Sequence, residues 1–272
     1  MNGPHPALSR SITAEDPRYS ELVDALFERN QKLLEENRLL AEMDEHRISL
    51  IACVSHELRT PLSYVMGYGS ILQEGVMGEL NPKQQNCLRK MMEGSEQLLR
   101  IISDLLVFSK MDAGKFALQL APTNLAPLLD EVVRQMAPTF ESNELTLELR
   151  LTVPLPEIQA DADRLRQVLY NLLENASKFT PKGGRVTLSC RLAERGIRLE
   201  VVDNGIGIAP EHLDRIFERF YQIPGGDARQ KKGSGLGLAI TRDIIEGHGG
   251  AIKVVSSPEQ GTAFKIFLPL PQ

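Results

Sequence analysis

The sequence predicts a multi-domain protein: an all-α helical hairpin forming a dimeric four-helix bundle, followed by an α+β two-layer sandwich. Three features carry this expectation. Leucines recur every seven residues near the N-terminus. A long helical pattern then breaks once, at a cluster of Gly and Pro, and resumes. Beyond Pro122 the apolar period shifts from that of a helix to two.

The chain has 272 residues, 42% of them hydrophobic, which suits about two domains with real cores. Its net charge of -5, from 31 basic and 36 acidic residues, lacks the basic excess that a nucleic-acid partner requires. Cys53, Cys87 and Cys190 are odd in number and far apart, so they read as reduced thiols serving as small core residues. No apolar run reaches the roughly 18 to 20 residues of a membrane span, and the first residues lack the apolar centre of a signal peptide. The expectation is a cytoplasmic chain with no direct membrane insertion, whose sensing part lies elsewhere.

Taken in order, residues 1–16 read as a disordered tail rich in Gly, Pro and Ser. Over residues 17–50, Leu26, Leu33 and Leu40 form one seam position of a parallel coiled coil, with Asn30 and Asn37 at the other. The helix continues to about Leu72, breaks at Gly75, Gly78 and Pro82, and returns to about Met111 with an apolar face including Leu88, Met91, Leu98, Leu99, Ile102 and Leu105. Two such hairpins make a four-helix bundle. Strands follow where Leu145 to Leu151, Val186 to Leu192 and Ile197 to Val201 alternate, with a last strand at Phe264 and Ile266. Helices near 126–140, 161–178 and 236–247 cover one face of the sheet.

Four segments carry chemistry. Asn171, Asn175 and Lys178 share a helix face that can offer amide oxygen to a cation and an ammonium to phosphate. Asp203, with Gly205 and Gly207 just after, puts a carboxylate at a strand end where the chain turns tightly. Gly233, Gly235 and Gly237 open a helix whose free N–H groups suit a polyphosphate. Between Tyr221 and Lys232 a Gly- and Lys-rich stretch reads as a lid, in which Arg229, Lys231 and Lys232 can meet phosphate. Singly, these also fit a solvated helix, a plain Asp-Asn-Gly turn or a solvated charge run; their combination points to a nucleotide.

The fifth segment is Ser55-His56-Glu57-Leu58-Arg59-Thr60-Pro61 on the first arm of the hairpin. Glu57 can keep one imidazole nitrogen protonated and leave the other as a nucleophile. Pro61 lacks an N–H, so a bend is expected one turn beyond the histidine. The remaining histidines, His5, His46, His212 and His248, sit where structural or solvated roles suffice.

These residues resemble the HisKA class of sensor histidine kinases, with the ATP-binding fold shared by GHKL ATPases, from about residue 48 to 269. SHELRTPL is similar to the H box, NLLENASKF to the N box, DNGIGI and GSGLGLAI to the two glycine boxes, and IFERF to the F box. The resemblance implies His56 as phosphoacceptor and Glu57 as its acid-base partner. It implies Thr60 as the residue that positions water for dephosphorylating a partner. It also implies Asn175 as Mg²⁺ ligand, Asn171 and Lys178 near the phosphates, Asp203 as adenine reader, and Gly235 and Gly237 at phosphate. Gly205 and Gly207 belong to the first glycine box, and Thr262 in EQGTAF stands beside adenine. Phe217 and Phe220 fit a lid hinge, and Ser234 replaces the Thr of many relatives. ATP and Mg²⁺ are the implied cofactors, and the implied partners are a second copy of the chain and a response-regulator receiver domain. On this reading residues 51–118 are the dimerisation and histidine phosphotransfer domain and 119–272 the catalytic domain. Two other functions remain open: an ATPase that drives conformational change without a phosphohistidine, and a non-enzymatic scaffold.

Overall fold

The computed structural model describes residues 17–112, 116–152, 154–224 and 233–270. The expected tail 1–16 and the lid residues Arg229, Lys231 and Lys232 lie outside them. The chain divides into two units, the first ending at Leu50 and the second running from Ile51 onward.

Helix α1, Pro17–Gln73, supplies all the described residues of the first unit and then enters the second. Within the first unit Leu26, Leu33 and Leu40 are all exposed, as a seam without its partner strand would be. Pro61 lies inside the helix and does not end it.

After α1 the chain turns through Gly75 and Gly78, both at positive φ, a region that costs a side chain with a Cβ. Helix α2, Pro82–Asp112, begins with a reciprocal cap. Asn81 Oδ1 accepts from the Gln84 N–H at 3.0 Å, and Gln84 Oε1 accepts from the Asn81 N–H at 2.9 Å. Proline at the first helical position costs nothing there, because that N–H has no helical partner. Gly69 lies so close to α2 that a Cβ would come within 2.2 Å of Met92 Sδ.

The sandwich begins with strand β1, Ala121–Thr123, helix α3, Leu125–Ser142, and strand β2, Thr146–Leu151. Strand β3, Ile158–Ala160, helix α4, Ala162–Phe179, and strands β4, Arg185–Ala193, and β5, Gly196–Asp203, follow. Next come the short helix α5, Pro210–Leu213, helix α6, Gly237–Gly247, and strands β6, Ala251–Ser256, and β7, Thr262–Pro269. The main sheet has the order β2-β4-β5-β7-β6, with β2 parallel to β4 and the other neighbours antiparallel; β1 and β3 form a separate antiparallel pair.

Register explains the layering. Leu188 pairs with Val201 and Val201 with Phe264, while Cys190 pairs with Leu199 and Leu199 with Ile266. All six are buried, so one sheet face is a continuous apolar ladder. Leu129 and Val132 of α3, Leu169 and Leu172 of α4 and Ile240 and Ile244 of α6 belong to the same core. Asp203 ends β5 on this covered face, opposite Val186.

Only Cys190 behaves as the expected core thiol, and burial pushes it up to about 12. Cys53 and Cys87 are exposed instead, because they fall on uncovered faces of α1 and α2. The strands β1, β3 and β6 and the parallel β2–β4 pairing add to the elements expected from periodicity.

Candidate active site

Asp203 is 9% exposed. Its Oδ1 accepts from the Gly205 N–H at 2.8 Å and the Thr262 N–H at 3.1 Å, leaving Oδ2 as the uncommitted acceptor. Burial holds this carboxyl above the ordinary aspartate range, and the two backbone donors partly offset that. Around it the backbone is close-packed. A Cβ on Gly207, at φ 69°, would sit 1.9 Å from Ser257 O, and one on Gly205 would sit 2.5 Å from Phe179 O. Gly261, at φ 82°, comes equally close to Asp203 O, where a Cβ would stand 2.0 Å away. Ser256 Oγ braces the two turns by accepting from the Ile208 N–H and donating to Gly261 O, both at 2.8 Å.

Helix α4 has its N-terminus set by Asp161, whose Oδ1 accepts from the Arg164 N–H at 3.1 Å. The Asp161 N–H donates to His248 Nε2 at 2.9 Å, while His248 Nδ1 meets Ile244 O at 2.8 Å, which fixes the neutral Nδ1–H form. His248 thus pins the end of α6 to the start of α4 and takes no part in the cleft. From α4, Asn171, Glu174, Asn175 and Lys178 line the cleft. Asn171 donates to Gly237 O at 3.2 Å and so ties α4 to α6. The Asn175 amide makes no hydrogen bond among the described residues. Lys178 Nζ lies 4.8 Å from the centre of the Phe179 ring, and burial lowers its pKa.

The third wall is the start of α6, which has no side-chain cap hydrogen bond. Its first N–H groups carry the partial positive charge of the helix terminus. Gly235, at φ 71°, packs on the Phe220 backbone, where a Cβ would approach to 2.7 Å. Phe220 itself stands at φ 62°, and its N–H donates to Gly235 O at 2.9 Å.

Asp203, Thr262, Gly207, Asn171, Asn175, Lys178, Gly235 and Gly237 line one cleft of about 900 Å³. Gly205 does not; it supports the cleft from behind through Asp203. Sequence reasoning missed Gly261 and Ser256, the apolar liners Ile208, Ile216 and Phe264, and a wall from α2 that includes Arg100 and Asp104. Gly261 precedes Thr262 in EQGTAF and could have been flagged with it, but nothing local marks Asp104.

The other expected group stays apart. His56, Glu57 and Thr60 lie exposed on α1 and line no part of the cleft. No hydrogen bond joins His56 to Glu57, since residues one apart on a helix project about 100° from each other. Thr60 Oγ1 instead donates to His56 O at 3.4 Å.

Comparison with known proteins places two families on this geometry. Residues 46–114 match the His Kinase A (phospho-acceptor) domain, and residues 160–272 match the histidine kinase-, DNA gyrase B-, and HSP90-like ATPase family. The chain is 37% identical over 251 residues to the circadian input-output histidine kinase CikA of Synechococcus elongatus, covering 91% of this chain and 33% of CikA. It is 36% identical over 231 residues to the sensor protein SrrB of Staphylococcus aureus, covering 85% of this chain and 39% of SrrB. A solved structure of full-length ShkA in complex with AMPPNP superposes with a TM-score of 0.65 at 34% identity, over 82% of this chain and 47% of ShkA. The chain thus spans between a third and two fifths of the length of these curated relatives. No described helix is long and apolar enough to cross a membrane. Since the phospho-acceptor match falls on the hairpin that carries His56 and the ATPase match on the sandwich that holds the cleft, the chain belongs to the histidine kinase family.

Proposed function

We propose that this chain binds Mg-ATP in the cleft, phosphorylates His56, and passes the phosphoryl group to an aspartate of a response regulator. The observation that carries the reading is the convergence, on one cleft, of a buried carboxylate, a half-buried ammonium, an unbonded amide and an uncapped helix start. This set fits an adenine nucleotide. Ile208, Ile216 and Phe264 offer apolar walls for a base, and Asp203 Oδ2 can accept from its exocyclic amine. Lys178 and the first N–H groups of α6 suit the phosphates. Among the described residues no three His, Cys, Asp or Glu side chains form a metal cage. Asn175 would then be the protein's ligand to Mg²⁺, which commonly keeps waters and phosphate oxygens as its other ligands. When bound, the ion would neutralise phosphate charge.

In the reaction, an imidazole nitrogen of His56 forms a bond to the γ-phosphorus while the bond to the β–γ bridging oxygen breaks, and ADP departs. Because His56 lies outside the cleft wall, transfer proceeds from a different placement of the sandwich against a hairpin. The second copy of the chain belongs to this reading, since Val54, Leu58, Val65 and Tyr68 of α1 are exposed at three-, four- and seven-residue spacings that suit a bundle seam. A cytoplasmic location, where ATP and receiver domains are found, completes it. Thr60, one turn beyond His56, positions water for the opposing dephosphorylation.

The test is incubation with γ-labelled ATP. The unaltered chain should acquire label that acid removes and base does not, and His56→Gln should acquire none. Label persisting in His56→Gln sinks the assignment, and ATP hydrolysis without any labelled protein favours the conformational ATPase instead.

A further inference from the structure

The wall from α2 is the part of the cleft that the reading above leaves unused. Asp104 Oδ2 accepts a hydrogen bond from Ser234 Oγ at 2.8 Å, and Ser234 Oγ accepts from the Leu236 N–H at 3.2 Å. A carboxylate on one helix is thereby tethered at the N-terminus of another, beside the helix start that has no cap of its own. That is where an anion is best stabilised. One turn on, Phe108 packs edge-on against Phe220 with ring centres 5.9 Å apart, and Arg219 lies 4.6 Å from the Phe108 ring centre. Phe220 is bonded in turn to Gly235. The same face of α2 therefore grips both flanks of the glycine loop.

We propose that Asp104 is a built-in anionic competitor for the nucleotide polyphosphate: docked on Ser234 it fills the electrostatic place of a phosphate, and a bound polyphosphate displaces it. The inference rests on the nucleotide reading of the cleft. Charges around Asp104 fit a contest. On α2, Arg100 attracts it, and Glu96 adds negative charge nearby; across the cleft, α4 contributes Glu174 and Lys178. Burial already holds the carboxyls of Asp104 and Glu174 above their ordinary ranges, and Asp104 adds to the effect on Glu174. Two carboxyls, those of Asp104 and Glu174, thus line the cleft before any phosphate arrives. Displacement also removes the polar half of the grip of α2 on the glycine loop. ATP binding would in this way loosen the placement that keeps the cleft away from His56.

The experiment is calorimetric titration of the full chain with ATP, ADP and AMP in the presence of Mg²⁺. Asp104→Asn keeps an acceptor for Ser234 and removes the charge; Asp104→Ala removes both. A competing charge predicts that both variants bind ATP about three- to tenfold more tightly, ADP less so, and AMP unchanged. Weaker ATP binding by either variant makes Asp104 a positioning residue and overturns the proposal. So does an equal gain for all three nucleotides, or an effect confined to Asp104→Ala. If the unaltered chain binds no ATP, the nucleotide reading fails and takes this one with it. If it binds ATP and Asp104→Asn changes nothing, only the competitor fails.

Discussion

On the proposed reading, Asp203 serves binding at the expense of folding. Its carboxyl is held above the ordinary aspartate range by burial. Between that ordinary range and the raised value, the folded chain keeps a proton that the unfolded chain has released. The group's contribution to stability is therefore present at low pH and lost as pH rises through this window. Asp203→Asn retains an oxygen for the Gly205 and Thr262 N–H groups and carries no charge. At neutral pH its melting temperature should be no lower than that of the unaltered chain, and the pH dependence in this window should flatten. ATP affinity should fall by roughly tenfold or more, because the amide can no longer offer a strong acceptor. Calorimetry and thermal melts on the same samples check both halves; a large loss of stability with unchanged affinity would make Asp203 a purely structural residue. His248 is the contrasting case. A structural or solvated role is expected for it from sequence, and both ring nitrogens are indeed spent on the backbone of two helices.

At the scale of elements, the glycines divide into those the fold demands and those the ligand would demand. Gly207 stands at φ 69° with its Cβ direction blocked by Ser257 O, and Gly235 at φ 71° is blocked by the Phe220 backbone. Gly207→Ala should cost about 1–3 kcal/mol of stability, from strain and forced backbone movement. Gly237 differs, since the nearest atom to a Cβ there would be on Asn171, at 3.5 Å, which is ordinary contact. Gly237→Ala should melt within a degree or two of the unaltered chain while weakening ATP binding several-fold, because the added methyl would occupy space the phosphates need. Equal nucleotide affinity would mean that the start of α6 does not approach the phosphates. The strands were legible where one face is buried and the other wet, as in β4 and β5, because alternation then records the pleat. Strand β6 was harder to read: its burial pattern is exposed and half-buried in turn, as expected at a sheet edge.

At the scale of the molecule, both arms of the hairpin and the first unit leave apolar side chains open to water. Leu26, Leu33 and Leu40 are between 49% and 59% exposed, and the burial of one such side chain against a partner is worth roughly 1.5–3 kcal/mol. A second copy in parallel register would cover them, with Asn30 and Asn37 fixing the alignment. Sedimentation equilibrium at micromolar concentration should show a dimer, and Leu33→Asp with Leu40→Asp should weaken it at least about tenfold. A monomeric unaltered chain would leave the seam to some other helix.

The sequence by itself determined the order of the main helices and of the strongly alternating strands, the break between the helical arms, and the residue types that a nucleotide and a phosphoacceptor need. These are local properties, set by periodicity, capping and turn chemistry within a few residues. Only the tertiary structure decided which of those residues share a cleft. It brought Asp203, Asn175, Lys178 and Gly237 together across three elements and left His56 outside, on a face of α1 that the cleft does not reach. It also placed Asp104, which in sequence is one more acid on an amphipathic helix, against a serine 130 residues away. Such a meeting depends on how α2 packs against the glycine loop, and nothing within a helical turn of either residue encodes it.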